Sequence, residues 1–279
     1  MTNILKGKPV ADKINEHTFK IINNLSFVPT ISIIRCGNNP DDIYYEKAIL
    51  KKCSDFNIKS NTTILEKDIS EKEYIDTINK YNNDPNTHGI ILLNQLYKEY
   101  SSTIIDPQKD IDGCNPINIS ASFLNKKSGF IPCTAQAVIE LLDYYKIDIQ
   151  SKNITIIGRS MTVGKPLSML LLNRNATITV CHSHTVNLKK HTLNSDIVIS
   201  CIGQAELFDH TYFKEGQTVI DVGINYSEIK KKICGDILFD DVKDVVENIT
   251  PVPFGIGSIT NSVLLNHLAL AAERRQNEN

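Results

Sequence analysis

The stretch of residues 153–183 combines residue types that are suited to holding a phosphate. Residues 154–157 are β-branched and apolar, which is typical of a buried strand, and Gly158 ends that strand. Gly164 then opens a helix, and residues 176–180 form a second strand. A strand–helix–strand unit with a glycine turn directs backbone N–H groups and the positive end of a helix towards the phosphates of a nucleotide.

The spacing of the two glycines leaves two interpretations open. Five residues separate Gly158 from Gly164, which differs from the usual three-glycine fingerprint, and a turn without any ligand has the same pattern. Arg159 favours a ligand, because a guanidinium in the turn can pair with a phosphate. The second strand ends in Cys181-His182-Ser183, without the acidic residue that binds the 2′-hydroxyl of NAD. The pattern therefore predicts NADP as the cofactor. The predicted contacts are Gly158, Arg159, Ser160 and Ser183, with His184 as an alternative to Ser183.

The cysteines and histidines could instead suggest a metal site. The run Cys181-His182-Ser183-His184 has zinc-binding residue types, but no second ligand pair accompanies it in the sequence. The seven cysteines are scattered, without a CxxC pair. An odd, scattered set is typical of a reducing compartment rather than of a disulfide framework. The sequence therefore predicts no metal and a cytoplasmic location.

Length and charge narrow the class of protein. A chain of 279 residues can form two modest domains with separate cores. The formal net charge is −2, from 30 basic and 32 acidic residues, and no long basic run occurs. This balance gives no electrostatic reason to expect a nucleic-acid or membrane partner. Neither an apolar signal core nor a run of membrane-spanning length is found in the sequence.

Strands and helices are predicted to alternate along the chain, including those on either side of the glycine turn. Alternating strand and helix signals predict parallel α/β sheets. Residues 114–132 show few periodic signals, and we assign the hinge to them. The predicted strands are residues 30–34, 61–65, 88–93, 154–157, 176–180, 196–201 and 218–225. The predicted helices are residues 9–25, about 41–57, 71–81, 134–145, 164–173 and 259–275.

Motifs across nearly the whole chain resemble one family, the methylenetetrahydrofolate dehydrogenase/methenyltetrahydrofolate cyclohydrolases. The runs IGRSMTVGKPLS, VCHSHT and VIDVGIN are close to the family pattern in content, order and spacing. The resemblance implies two α/β domains with a cleft between them. Residues 1–131 would form the folate-side domain, residues 132–258 a Rossmann-type NADP domain, and the last helix, residues 259–275, would return to the first domain. It also implies a homodimer.

The resemblance also implies an activity and a set of site residues. Family members oxidise 5,10-methylenetetrahydrofolate with NADP, and many then hydrolyse the methenyl cation to 10-formyltetrahydrofolate. Asp112 would accept hydrogen bonds from the pterin edge, although an Asp before Gly113 is also a common turn residue. The implied catalytic residues are Tyr45, Asp112 and Gln95. The implied substrate contacts are Tyr45, Asp112, Pro253 and Gly255, and Ile224 is an implied cofactor contact.

One departure from the family falls on the proton-transfer group. The family pattern is a tyrosine followed four residues later by a lysine, and an ungapped match makes Tyr45 the tyrosine and Ile49 the lysine position. Isoleucine cannot transfer a proton. Lys52 lies on the same helical face but about 10 Å from Tyr45 along the axis. A shifted alignment would pair Tyr44 with Lys47, at the cost of the flanking match.

Two further departures surround the implied site. Gln95 matches the family glutamine only after a two-residue shift, and bulky Phe254 replaces a glycine, which should reshape the folate side. The sequence therefore favours an NADP-dependent methylenetetrahydrofolate dehydrogenase with doubtful cyclohydrolase activity. Two alternatives stay open: a bifunctional enzyme with a displaced lysine, and a nucleotide- or folate-binding relic without chemistry.

Overall fold

The structure is a computed structural model that describes residues 2–93, 96–97, 101–126, 128–228 and 230–278. Its strands are β1 (Asn3–Ile4), β2 (Thr30–Cys36), β3 (Lys59–Leu65), β4 (Gly89–Leu93), β5 (Asn153–Ile157), β6 (Thr177–Cys181), β7 (Ile197–Ser200), β8 (Thr218–Asp221), β9 (Asn225–Ser227), β10 (Lys232–Cys234) and β11 (Asn248–Ile249). Its helices are α1 (Gly7–Asn23), α2 (Pro40–Asp55), α3 (Glu71–Asn83), α4 (Ser101–Ile104), α5 (Pro116–Phe123), α6 (Cys133–Tyr144), α7 (Gly164–Leu172), α8 (Leu188–Leu193), α9 (Phe239–Val242) and α10 (Ile256–Glu278).

The chain forms two compact units. The six-stranded unit comprises the residues up to Asp12 together with Thr134–Thr260. The three-stranded unit comprises Lys13–Cys133 together with the residues from Asn261 onwards. The chain crosses between the units three times, and the three boundaries fall in helices, namely α1, α6 and α10.

The six-stranded unit is built on a parallel sheet with the strand order β1-β11-β8-β7-β5-β6. The chain leaves β5 for β6 on one side and returns to β7 on the other side of β5. This reversal is the topological switch point at which nucleotides bind in Rossmann-type folds. The predicted fold class, with a Rossmann-type parallel sheet in the C-terminal half, is confirmed.

The three-stranded unit is also parallel, with the strand order β3-β2-β4. Every residue of β2 is buried, including Ser32 and Arg35, because a central parallel strand is covered on both faces. A hydrophobic cluster joins β2, β3 and β4 to α3, and its largest fully buried side chain is Tyr74. The sheet and its helices therefore supply a rigid base for α2, which follows β2.

Three local features differ from the sequence predictions. The assigned hinge, residues 114–132, contains α5, which Asn115 caps by accepting the N–H of Ile117 at 2.8 Å. The signal there was a capping Asn followed by Pro, not a hydrophobic period. Helix α2 is capped by Asn39 and ends at Asp55, two residues before the predicted end at 57. The first residues pair through β1 with β11, so they belong to the six-stranded unit and not to the predicted folate-side domain.

A membrane-spanning helix is not found among the described residues, since none of their helices is both long and apolar enough.

Candidate functional site

The glycine turn after β5 requires both of its glycines. Gly158 adopts φ +127°, a conformation that favours glycine. A Cβ there would lie 2.6 Å from Cys201 Sγ, which is closer than real Cβ contacts. A Cβ on Gly164 would lie within 3 Å of the Gly158 backbone, so helix α7 could not approach the turn as closely. Glycine at both positions lets the N-terminus of α7 approach the end of β5, where a phosphate can bind. The geometry therefore fits the close strand-to-helix turn of a nucleotide-binding unit.

Ser160 stabilises the same turn. Its hydroxyl oxygen accepts the N–H of Val163 at 3.1 Å, and its carbonyl accepts the N–H of Lys165 at 3.1 Å. The hydroxyl proton is still available to a ligand, because a serine hydroxyl can donate and accept at the same time. Ser160 can therefore both shape the turn and contact a phosphate.

The end of β6 lies beside this turn. Ile157 pairs with Cys181, and the N–H of Gly158 continues the ladder to the Cys181 carbonyl at 2.9 Å. The predicted phosphate contacts Arg159 and Ser183 are both exposed at this carboxyl edge of the sheet. The positive charge of Arg159 reaches His182, whose pKa it helps to lower after partial desolvation. Arg159 and Ser183 thus lie at the same edge of the sheet, and their contact with a 2′-phosphate stays a prediction.

Two buried carboxylates organise the neighbouring edge of the six-stranded sheet. Asp236 accepts hydrogen bonds from the Ser200 hydroxyl at 2.8 Å and from the Asn225 amide at 3.0 Å. Asp221 accepts backbone N–H groups from Gly223 and Asp236, at 2.9 and 3.0 Å. Burial raises the pKa of Asp221 to about 7, although these N–H groups act in the opposite direction. Sequence analysis missed Asp236, because its partners lie on separate strands and loops.

The structure places the other predicted contacts of this unit on two loops. Ile224 follows β8 and is 65% exposed, so its side chain is free to meet a ligand. Pro253 is exposed, whereas Gly255 is buried, and a Cβ on Gly255 would lie 2.4 Å from the Pro251 carbonyl oxygen. Phe254 between them is 72% exposed with φ +84°. The roles of these residues stay predictions.

In the three-stranded unit, the orientation of α2 distinguishes the two possible positions of the family tyrosine, Tyr45 and Tyr44. Tyr45 lies on the inward side of the helix and Ile49 is 1% exposed. Tyr44 is 68% exposed and Lys47 is also exposed, so the shifted pair faces away from the core of this unit. The helix orientation therefore favours Tyr45 as the family tyrosine and leaves a buried isoleucine at the lysine position.

Lys52 is half-buried one turn beyond Ile49. Its amine donates to the hydroxyl of Ser262 in α10 at 2.5 Å. This contact fixes the lysine against the last helix, at a position seven residues from Tyr45. If the protein does hydrolyse the methenyl substrate, Lys52 is therefore the first lysine of α2 to substitute.

Asp112 lies at the centre of a polar network in the three-stranded unit. The Cys114 thiol donates to its carboxylate at 3.4 Å, and the Cys133 thiol forms a second side-chain hydrogen bond to it. The Ile111 carbonyl, 3.3 Å from Cys133 Sγ, is the alternative acceptor of the single thiol proton, and the same carbonyl accepts Nδ1–H of His267 at 2.8 Å. Sequence analysis missed Cys114 and His267 because the contacts that define the network are distant in the chain.

The electrostatics of this network link Tyr45 to Asp112. Burial raises the pKa of the Tyr45 phenol well above its usual range, and the negative charge of Asp112 raises it further. Burial also raises the pKa of Asp112, whereas the two thiol hydrogen bonds lower it. Tyr45 therefore stays protonated and can donate a hydrogen bond. Gln95, the third predicted catalytic residue, lies outside the described residues.

His267 gives the network a testable pH dependence. Burial lowers the pKa of His267 to about 4, from 6.5 in an unfolded chain. The native state therefore holds fewer protons than the unfolded state, so this histidine's contribution to stability is complete above about pH 6.5 and is lost as the pH falls towards 4. We expect the difference in unfolding free energy between the wild type and His267→Gln to shrink by up to about 3 kcal/mol between pH 7 and pH 4. Urea unfolding at several pH values measures this difference, and a constant difference would contradict a neutral buried His267.

Comparisons with known proteins agree with this arrangement. Residues 5–112 match the family model described as tetrahydrofolate dehydrogenase/cyclohydrolase, catalytic domain, and residues 132–276 match its NAD(P)-binding domain. Bifunctional protein FolD of Clostridium botulinum (strain 657 / Type Ba4) is 45% identical over 281 residues, which cover 98% of this chain and 99% of the relative.

Two solved structures are similar over their full length. Bifunctional FolD methylenetetrahydrofolate dehydrogenase/cyclohydrolase from Campylobacter jejuni has a TM-score of 0.95 and 36% identity, covering 99% of this chain and 100% of that one. The dehydrogenase-cyclohydrolase of Trypanosoma brucei, complexed with NADP cofactor and inhibitor, has a TM-score of 0.91 and 28% identity, covering 100% and 99%.

The parallel sheet and its glycine turn define the class of this protein, an α/β protein with an NAD(P)-binding Rossmann-type unit. The second α/β unit and the extent of the matches identify the family. The chain belongs to the tetrahydrofolate dehydrogenase/cyclohydrolase family.

Proposed function

We propose that this protein is an NADP-dependent methylenetetrahydrofolate dehydrogenase in which the hydrolytic activity of the family is strongly reduced. The observation that carries the proposal is one contrast within the site. Arg159 and Asp112 are retained at the cofactor and folate sides, whereas the position expected to hold the proton-transferring lysine is a fully buried Ile49.

The folate side requires an ionised carboxylate and a protonated phenol. Asp112 as a carboxylate accepts hydrogen bonds from the amino-pyrimidine edge of a pterin. Burial raises the pKa of Asp112, and the hydrogen bonds from its thiol partners Cys114 and Cys133 act against that shift, in favour of the ionised form. Tyr45, held protonated, orients the folate ring system from α2. Pro253 and Gly255 are the proposed further folate contacts.

The cofactor side of the site binds and orients NADP. When bound, NADP supplies the acceptor for the hydride that leaves the methylene carbon. The glycine turn leaves room for its phosphates, Arg159 and Ser183 bind the 2′-phosphate, and Ile224 is a further cofactor contact. These residues accelerate the reaction by holding two reactants in line, because loss of a hydride requires positioning rather than a general base.

Hydrolysis has a different requirement. Water must add to the methenyl carbon and lose a proton as the ring opens to the 10-formyl product, and a side chain must move that proton. Ile49 has no titratable group, and the phenol of Tyr45 keeps its proton because its pKa is raised. The methenyl cation should therefore leave the enzyme largely unhydrolysed.

Two spectrophotometric assays on one preparation test the proposal. The first follows methenyl formation with NADP and with NAD, and the second follows methenyl decay above the buffer rate. Formation with a preference for NADP supports the dehydrogenase. Absence of formation, together with binding of NADP or folate, would instead support a binding protein without chemistry. Asp112→Asn should raise the KM for the folate with little change in the KM for NADP.

A prediction on cofactor choice follows from Arg159. A charge-assisted contact to a phosphate is worth roughly 1.5–3 kcal/mol, so Arg159→Ala should raise the KM for NADP by about 10- to 100-fold. The KM for NAD should change much less, because NAD lacks the 2′-phosphate. Steady-state kinetics with both cofactors measure the effect, and Arg174→Ala, at an arginine that follows the opposite end of α7 and pairs with Asp143, is a matched control. Equal effects on both cofactors would remove the assignment of Arg159.

The surroundings and assembly of the enzyme are also proposed. The seven cysteines are all free, which agrees with a reducing cytoplasm. The family resemblance implies a homodimer, and sedimentation at micromolar concentration tests it.

A further inference from the structure

We propose that the amino edge of the three-stranded sheet carries a binding site for a phosphate ester, with His88, Lys59 and Arg275 as the hydrogen-bond donors. A cavity of about 570 Å³ lies at this edge, and these three residues line it together with Thr30, the first residue of β2. The proposed folate contact Tyr45 lies on α2, which follows the opposite, carboxyl end of β2. The cavity therefore lies apart from Tyr45, and binding there would be an addition to the proposed dehydrogenase function.

His88 supplies a hydrogen-bond donor that no described residue uses. The residue is 8% exposed, and its ring stacks on Phe27 with the ring centroids 4.7 Å apart. Nδ1 accepts the N–H of Thr30 at 3.1 Å, so the neutral ring carries its hydrogen on Nε2. Among the described residues Nε2–H has no acceptor, and Nε2 is not one of the unpartnered polar atoms that are closed off from solvent. A ring that is more than nine-tenths buried therefore presents one unpaired N–H to the cavity.

The surroundings of His88 keep its ring neutral. Burial and the positive charges of Lys109 and Arg275 lower the pKa of His88, and the negative charge of Asp84 acts less strongly in the opposite direction. At about pH 7.5 the ring is therefore a neutral donor through Nε2–H, with no need for a second proton. The same balance shows that positive charge predominates around the ring.

The cations at this edge outnumber the carboxylate that faces them. Lys59 and Arg275 line the cavity, and Lys109 lies behind it, where its amine donates to three backbone carbonyls, the last being that of Asp84 at 2.8 Å. Asp84 also lines the cavity, but its carboxylate already accepts a backbone N–H and a hydroxyl from the turn that follows it, at 3.0 and 2.8 Å. The cavity therefore attracts an anion rather than a cation.

The combination of these donors fits a phosphate. A tetrahedral oxyanion has several acceptor oxygens, so it can accept Nε2–H of His88 while it pairs with an ammonium and a guanidinium. Phe27 and Val28 also line the cavity and place apolar surface beside the donors. Apolar walls with a few polar groups are typical of sites for small organic ligands. We therefore expect a phosphate carried on a small organic group to bind more tightly than inorganic phosphate.

Titration calorimetry with phenyl phosphate and with inorganic phosphate tests the site. The titrations use the Arg159→Ala background, which removes the phosphate contact proposed for the cofactor. We expect saturable binding of phenyl phosphate, and Lys59→Gln/Arg275→Gln should weaken it about 10- to 100-fold, because two charge-assisted contacts are lost. The control Lys13→Gln/Lys72→Gln removes two charges from exposed residues that do not line the cavity, and it should leave the affinity unchanged.

The role of His88 is tested through its ring nitrogen. The NMR resonance of Nε2, identified by its loss in His88→Gln, should shift as phenyl phosphate binds. Equal weakening in the two double variants, a lack of saturable binding or an unchanged Nε2 resonance would overturn the site. Inorganic phosphate that binds as tightly as phenyl phosphate would overturn the preference for an ester. Methenyl formation by Lys59→Gln/Arg275→Gln should match that of the wild type, so a failure of this site and a failure of the proposed function are seen in different measurements.

Discussion

Purified protein supplied with 5,10-methylenetetrahydrofolate and NADP should accumulate the methenyl product. General acid–base catalysis typically contributes about 10² to 10⁴-fold to a rate, and the position expected to provide it is Ile49. We therefore expect methenyl hydrolysis to be about 10² to 10⁴-fold slower than in a site that has the lysine, and slower than methenyl formation by this protein. The physical reason is that an aliphatic side chain with 1% exposure can neither carry a proton nor recruit water.

Substitutions in α2 test this expectation directly. Ile49→Lys should increase hydrolysis if an amine at that position is sufficient, whereas Ile49→Met should not. Lys52→Met tests the amine that donates to Ser262, and Lys47→Met is the exposed control on the same helix. A wild-type hydrolysis rate equal to the dehydrogenase rate would contradict the expectation. Loss of that rate in Lys52→Met alone would then identify Lys52 as the displaced lysine.

The second large effect concerns the ion pair that anchors α2 to the three-stranded sheet. Arg35, at the end of β2, donates through Nε to the Glu46 carboxylate at 2.5 Å, and both residues are buried. The same guanidinium donates to the Gly37 carbonyl and, at 3.1 Å, to the Asn38 side chain. One charged group therefore holds the loop before α2 and the second turn of the helix, next to Tyr45.

Breaking only one partner of this pair should be costly. Glu46→Gln or Arg35→Met leaves a buried charge without its partner, for which we expect a loss of about 3–5 kcal/mol in the free energy of unfolding. The double variant Arg35→Met/Glu46→Leu removes both charges and should lose far less than the sum of the two. Urea unfolding followed by circular dichroism measures all three.

The control is an exposed ion pair in the same unit. Lys72 and Asp76 pair across one turn of α3 in solvent, so Asp76→Asn should leave the unfolding midpoint unchanged. Single losses below about 1 kcal/mol, or a double variant as unstable as the sum, would show that the Arg35–Glu46 pair does not anchor the helix. Because Tyr45 adjoins Glu46, the folded single variants should also have a raised KM for the folate substrate.

The sequence by itself determined the local elements and the cofactor turn. Gly158, Gly164 and the apolar run before them are local signals, because the backbone conformation and close approach that they permit are properties of a few consecutive residues. The same holds for the absence of an acidic residue after β6, and for the strands whose apolar runs define both parallel sheets.

Only the tertiary structure decided which side of α2 faces inwards and which groups surround Asp112. The flanking match favoured Tyr45 over Tyr44, but only the packing of the whole helix showed that Tyr45 faces inwards and Tyr44 faces solvent, since both lie on a helix with weak amphipathic character. The thiols of Cys114 and Cys133 and the ring of His267 converge from three parts of the chain, and the pairing of Arg35 with Glu46 crosses from a strand to a helix. Long-range contacts of this kind follow from burial in a common core, where polar groups must find partners wherever the fold brings them together.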